Sequence, residues 1–244
     1  MGSKYEHVFE PIRIRGVDFK NRLEMAPPSP NLADREGRVT PEFVDFFRPI
    51  AKGGVAIIHV GNSVVDIKEA CDEERQLDLG SDACILPLTR FVEMCHGYGA
   101  LASLEINHNG KDSDFDKTGK AAFSASSFIA SSEIWRARMH GREAIPTIEM
   151  DHAKIKEAVD KYAVAAYRCK RAGFKMCMIH GGHGNLISQF ASPLYNRRKD
   201  GYGGSLENRA RFAIEVLDRV RELCGGNFVI EYRISADEIH PDGM

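Results

Sequence analysis

The chain has 244 residues, 43% hydrophobic and 28% charged, the proportions of a globular domain with a sizeable core, which excludes a disordered or fibrous chain. The 33 Lys and Arg against 35 Asp and Glu leave a net charge of -2, so nothing biases the chain toward nucleic acid or an anionic membrane. No apolar run approaches the roughly 18 residues that span a bilayer, and the opening MGSKYEHVFEPIR lacks a basic segment followed by an apolar one.

In chain order, strands and helices alternate. Asn21 to Pro27 predicts a short strand ending in prolines. Thr40-Pro41-Glu42 opens a helix with a hydroxyl at the N-cap and proline at N1. Phe43, Phe46, Phe47 and Ile50 mark its apolar face, Pro49 is expected to kink or shorten it, and Gly53-Gly54 stops it. Val55 to Val60 is a continuous apolar run, as a strand covered on both faces requires. Leu86 to Tyr98 predicts a helix and Leu101 to Asn107 a third strand. A long polar stretch from Lys111 to about Met150 holds the only tryptophan, Trp135. From His152 to Ala172, Ile155, Val159, Tyr162, Ala166 and Cys169 share one helical face, with Asp151 to cap the start and Gly173 to end it. Phe174 to Ile179 is a fourth strand. Ser205 to Leu223 is a helix with Ala210, Ala213, Leu217 and Val220 inward, and Phe228 to Ile234 is a fifth strand. The six cysteines form no CxxC pair and read as mostly buried free thiols in a reducing compartment, so a cytoplasmic location is expected.

Alternation without hairpins implies parallel strands and right-handed crossovers. No G-x-G-x-x-G follows the first strand and no P-loop is present. Asn107-His108, His180, His183 and Arg233 instead follow strand ends, where a βα barrel builds its site. The expected fold is therefore α/β, the N-terminal portion of a TIM (β/α)8 barrel with about five of eight strands; completion would take roughly a hundred more residues.

The densest chemistry lies in His180-Gly181-Gly182-His183-Gly184-Asn185. Two imidazoles joined by small residues can face one cavity, and the glycines permit close approach of a flat ligand. A structural histidine pair and a zinc site are the alternatives, though no third ligand stands at a recognisable spacing. His59, within an apolar run, reads as a core histidine.

From His180 the segment runs through Leu186-Ile187-Ser188-Gln189-Phe190-Ala191-Ser192-Pro193 and Asn196-Arg197-Arg198-Lys199-Asp200 to Tyr202-Gly203-Gly204-Ser205-Leu206-Glu207-Asn208-Arg209. It resembles the signature of the old yellow enzyme family of flavin-dependent oxidoreductases, most of all the 2-enoate reductase and 2,4-dienoyl-CoA reductase branch. Asn21 to Pro27 and Arg233-Ile234-Ser235-Ala236-Asp237-Glu238 match the family's first and fifth strands. The resemblance implies an FMN-binding TIM barrel, with residues 1–244 its N-terminal part and barrel completion and any further domains outside the chain. It implies the backbone of Met25, Ala26 and Pro27 along the flavin, and Ser29 where relatives carry a Cys or Thr that tunes flavin potential. Gly61 would lie beside the ring, Glu105 at its pyrimidine edge and Arg233 at N1/O2. His180 and His183 would hold the carbonyl oxygen of an enone, enoate or enoyl thioester, with NAD(P)H as reductant and no metal among these residues. A homo-oligomer and, downstream, a 4Fe-4S cluster and FAD also fit the resemblance.

Two positions depart from the pattern. Glu105 replaces a Gln, as in the branch similar to trimethylamine dehydrogenase, which keeps amine oxidation as the alternative activity; the carboxylate must be protonated, paired or reoriented beside a reduced flavin. Asn185 replaces the Tyr that supplies a proton. A truncated, non-catalytic piece is a third reading, with weak or absent FMN retention through gel filtration, because the family's phosphate-binding loops follow later strands. Ala121 to Ser132 reads as a lid or a solvated ornament, and Arg197 to Asp200 as an exposed turn with structural ion pairing.

Overall fold

The computed structural model describes residues 4–244; residues 1–3 of the opening segment read for a signal lie outside them. Five parallel strands, β1 (Glu24–Met25), β2 (Ile57–Val64), β3 (Leu101–Asn107), β4 (Met176–Gly181) and β5 (Val229–Ile234), lie side by side in chain order. Met25 stands opposite Ile58, His59 opposite Ser103, Glu105 opposite Met178 and His180 opposite Arg233. When every parallel strand pairs with its successor, the sheet curls around one inner face, giving the half-barrel expected for this fold class.

Side-chain alternation divides the labour of the sheet. Ile58 and Val60 of β2, Ala102, Leu104 and Ile106 of β3, and Cys177 and Ile179 of β4 join one apolar core. That core lies against the helices α1 (Pro41–Lys52), α2 (Ile85–Gly97), α3 (His152–Arg171), α4 (Leu186–Ala191) and α5 (Leu206–Cys224). The intervening residues His59, Gly61, Ser103, Glu105, His180, Glu231 and Arg233 occupy the inner face. At the N-terminal end of the strands, Phe19 from the hairpin Ile12–Ile14/Val17–Phe19 packs with Ala56, Met176 and Val229.

The helix signals act as the sequence indicates. Thr40 Oγ1 accepts the Phe43 amide at 3.1 Å, Asp151 Oδ1 the Lys154 amide at 2.7 Å, and Ser205 Oγ the Asn208 amide at 3.3 Å. Phe43, Phe47 and Ala51 form the buried stripe of α1, but Phe46 is 46% exposed and rests edge-on against Phe47. It lies beyond the width of that stripe. Pro49 does not shorten α1, because it falls in the last turn and the Gly53 amide still bonds its carbonyl at 2.9 Å. In α5 the buried set is Phe212, Ala213, Val216, Val220 and Cys224, whereas Ala210 and Leu217 are only half-buried. β1 is shorter than expected, since Pro27, Pro28 and Pro30 cannot donate to a ladder. All six cysteines are buried free thiols. No helix among the described residues is long and apolar enough to cross a membrane.

The polar stretch after β3 is ordered. Phe123–Ser124 pairs in parallel with Ile148–Glu149, and Ser131–Met139 is a helix that leaves Trp135 64% exposed. Arg198, read as part of an exposed turn, is instead buried. It pairs with Asp200 at 2.6 Å and donates to the carbonyls of Ala125 and Met150 at 3.1 and 2.7 Å.

Candidate active site

The C-terminal ends of β2 to β5 bring Gly61, Glu105, His180 and Arg233 to one layer of the inner face. Arg233 Nη1 donates to Glu105 Oε1 at 2.7 Å, and His180 Nδ1 stands 3.3 Å from the same oxygen. His183 Nδ1 lies 3.1 Å from His180 Nε2, so one nitrogen of this pair carries the shared proton. Glu105 and His180 are buried, while His183 is exposed. The loop that presents the imidazoles depends on its glycines. His183 itself has φ 57 and Gly184 φ 73, and the His183 amide bonds Ser235 Oγ at 3.0 Å. A Cβ on Gly61 would lie 2.9 Å from the Pro27 carbonyl oxygen and 3.0 Å from Glu105 Oε2, so only glycine lets β1 and Glu105 approach β2 this closely.

Electrostatics follow from this burial. Desolvation pushes the Glu105 carboxyl up, with Arg233 pulling the other way. Burial lowers His180 to about 3, with His183 and Arg233 adding repulsion; His183 is lowered too, by burial and then by Arg233. Both imidazoles are therefore neutral near pH 7, and the guanidinium is the cation of the layer. Arg233 pairs across the sheet with Glu105, not with the nearer-in-sequence Glu231 or Asp237. Glu231 instead stands 3.3 Å from His59 Nε2, and Glu24 approaches that atom to 3.4 Å. This group lies deeper in the half-barrel. Burial, then Glu24, raises Glu231 to about 7, while burial lowers His59.

The other expected site residues lie around this layer. Met25 and Pro27 are half-buried and Ala26 is exposed at the end of β1. Ser29 Oγ donates to Glu73, which fixes its hydroxyl. Asn185 caps α4 through its backbone, its carbonyl accepting the Gln189 amide at 2.9 Å. His108 is held in its loop, Nδ1 accepting the Gly110 amide at 3.0 Å. Sequence reasoning missed the neighbouring polar network. Asn107 Nδ2 bonds Asn62 Oδ1 at 2.6 Å, and Asn109 Nδ2 bonds Asp72 Oδ1 at 2.6 Å. Burial lifts Asp72 to about 6, with Glu73 adding repulsion. The signal available was the cluster of amides near two strand ends, Asn62 within β2, Asn107 at the end of β3 and Asn109 just after it.

The layer suits a flat ring bearing both N–H and carbonyl groups on its edge. His180 Nδ1 is buried with no hydrogen-bond partner, and Arg233, 32% exposed at its side chain, uses only Nη1. The remaining guanidinium nitrogens of Arg233 are open bonding positions, whereas His180 Nδ1 faces the Glu105 carboxylate, and this donor set fits the ring edge of FMN.

Comparison with known proteins agrees. The pattern of the NADH:flavin oxidoreductase / NADH oxidase family matches residues 7–244. The chain is 34% identical to an NADH oxidase of Thermoanaerobacter brockii, over 99% of this chain and 36% of that enzyme. It is 36% identical to an NADPH dehydrogenase of Geobacillus sp. (strain WCH70), over 97% of this chain and 65% of that enzyme. It thus spans about a third to two thirds of these curated relatives. Among solved structures, a 2-naphthoyl-CoA reductase in complex with 2-naphthoyl-CoA superposes with TM-score 0.89 at 25% identity, over 98% of this chain and 37% of that one. Old yellow enzyme from Pichia sp. AKU4542 gives 0.83 at 25%, over 93% and 59%. Histamine dehydrogenase from Rhizobium sp. 4-9 gives 0.86 at 28%, over 99% and 34%. The chain belongs to the NADH:flavin oxidoreductase / NADH oxidase family, the family of old yellow enzyme.

Proposed function

We propose that residues 1–244 form the N-terminal part of an FMN-binding barrel domain, and that the protein it belongs to is an NAD(P)H-dependent ene-reductase. The observation that carries this reading is the single layer of one guanidinium, one buried carboxyl and two neutral imidazoles at the strand ends. FMN, when bound, would supply hydride transfer to the β-carbon of an α,β-unsaturated carbonyl, acid or thioester. The chain's own groups do the rest. The backbone of Met25, Ala26 and Pro27 flanks the ring, and Gly61 keeps that wall thin. Ser29, held by Glu73, sits at the potential-tuning position. Glu105 would accept from a ring N–H, while Arg233, paired with it, would offset negative charge on the same edge. His180 and His183 give up their mutual bond to donate to the substrate carbonyl and stabilise the developing enolate. Asn185 cannot supply the α-proton, so water or another side chain does. The four-cysteine cluster and FAD implied by the resemblance would lie downstream of Met244.

Anaerobic stopped-flow on FMN-loaded protein tests this reading. His180→Ala and His183→Ala should each weaken binding of a phenolic ligand and slow flavin reoxidation by an enone. If neither variant changes either quantity, the assignment of the pair fails. Glu105 supports a second reading as a flavin amine dehydrogenase, in line with the likeness to histamine dehydrogenase. Reduction of the flavin by a secondary or tertiary amine, with no turnover of enones, would select it.

A further inference from the structure

A second cluster lies on the inner face, two residues or about 7 Å down the strands from the layer of Glu105 and Arg233. Glu24 of β1, His59 of β2 and Glu231 of β5 bring one ligand atom each within 4.8 Å of one another. The strands are not all neighbours, since β1 and β5 are the two edges of the five-stranded sheet. His59 Nε2 stands 3.4 Å from Glu24 Oε2 and 3.3 Å from Glu231 Oε2. The imidazole is 1% exposed, and its Nε2 points between the two carboxylates. Glu231 Oε2 is buried and has no hydrogen bond, although that nitrogen is so near. A proton on Nε2 can therefore serve Glu24 and still leave the Glu231 oxygen bare. Glu105 has Arg233 for a counter-ion, but among the described residues no lysine or arginine pairs with Glu24 or Glu231. Two carboxylates converging on a buried imidazole thus lack a cation. A tetrahedral ion with N and O ligands at roughly 2.0–2.1 Å sets those atoms about 3.3–3.4 Å apart, the spacing that His59 Nε2 keeps to both carboxylates. One imidazole and two carboxylates without sulfur suit a first-row divalent ion better than Ca²⁺, which takes roughly six to eight oxygens.

We propose that Glu24, His59 and Glu231 bind one Zn²⁺ ion that ties the two edges of the half-barrel together beneath the candidate flavin site. Glu24 Oε2, His59 Nε2 and Glu231 Oε2 are the ligands. The Glu24 side chain is 54% exposed, so the ion has a way in and water can take the fourth position. The ion neutralises both carboxylates and fixes the separation of β1 from β5. Met25 follows Glu24, and Arg233 lies two residues beyond Glu231, so the same staple sets two walls of the layer above. Binding of the ion depends neither on flavin nor on the ene-reductase reading.

Isothermal titration of chelator-treated protein with Zn²⁺, Ca²⁺ and Mg²⁺, with melting temperatures read alongside, tests it. One equivalent of Zn²⁺ should bind saturably and raise the melting temperature by several degrees, while Ca²⁺ and Mg²⁺ do neither. Glu24→Gln changes a half-exposed side chain and leaves the fold intact. It should weaken Zn²⁺ at least about tenfold and remove the thermal shift. His59→Gln should do the same and also abolish the visible ligand-field bands of Co²⁺ bound in place of Zn²⁺. His152→Gln, which breaks the exposed His152–Asp200 pair at 3.0 Å, should leave the bound equivalent in place. Absence of saturable Zn²⁺ binding, binding that Glu24→Gln and His59→Gln leave intact, or binding lost in His152→Gln instead would each overturn the proposal.

Discussion

At the scale of single residues, the site is governed by who neutralises Glu105. A buried carboxyl is costly unless a cation reaches it, and Arg233 does so at 2.7 Å across two strands. Arg233→Ala should therefore destabilise the fold by about 2 kcal/mol, and adding Glu105→Gln should recover most of that loss. Urea midpoints of the two single variants and the double variant measure it; additive losses would contradict the pairing. Glu231 gives a second test, with the opposite pH sense from an ordinary ion-paired acid. Its folded-state carboxyl is raised to about 7, mainly by burial, so its contribution is present at low pH and lost as pH rises through that value. Glu231→Gln should raise the melting temperature at pH 8 and change it little at pH 5, a gain on the order of 1–2 kcal/mol. An equal effect at both pH values would show that Glu231 does not titrate near 7. His180, His183 and Arg233 were legible in the sequence through their motifs. The Glu105–Arg233 pair was not, because 128 residues separate the partners and local spacing says nothing about cross-sheet contacts.

At the scale of elements, capping signals account for the bounds of α1, α3 and α5 almost to the residue, because a side-chain acceptor at the N-cap is a local signal, while helical spacing alone misplaces Phe46 in α1 and Ala210 and Leu217 in α5. Thr40→Ala should cost α1 about 1 kcal/mol. The stretch after β3 carries no such period, and its order comes from distant side chains. Gln189 Nε2 bonds the carbonyls of Asn109 and Gly184 at 3.2 and 2.6 Å, and its Oε1 accepts Ser124 Oγ at 2.9 Å. Arg198 adds its bonds to Ala125 and Met150. Ala121 to Ser132 is thus bolted to the segments after β4. Arg198→Ala, which leaves two buried carbonyls without a donor, should lower stability by about 2–3 kcal/mol. Limited proteolysis should then cut first between Ala121 and Ser132, and unchanged cleavage there would contradict the bolting.

For the whole molecule, the decisive pattern was the alternation of apolar strands with amphipathic helices, since only consecutive parallel pairing lets each crossover cover the outer face of the sheet. What that pattern could not give was the inner face. Inward positions such as His59 and Glu231 are isolated polar residues within apolar runs, and they meet each other only because their strands come together in the half-barrel. The proposed function requires that Glu105, His180, His183 and Arg233 frame one flavin edge. An equilibrium titration of FMN into the 244-residue chain, followed by visible difference spectra, tests it most directly, since it registers weak binding that gel filtration would lose. A saturable perturbation of the flavin bands is expected, weakened at least several-fold by Arg233→Ala and largely retained by Arg233→Lys. No perturbation, or one that Arg233→Ala leaves unchanged, would contradict it.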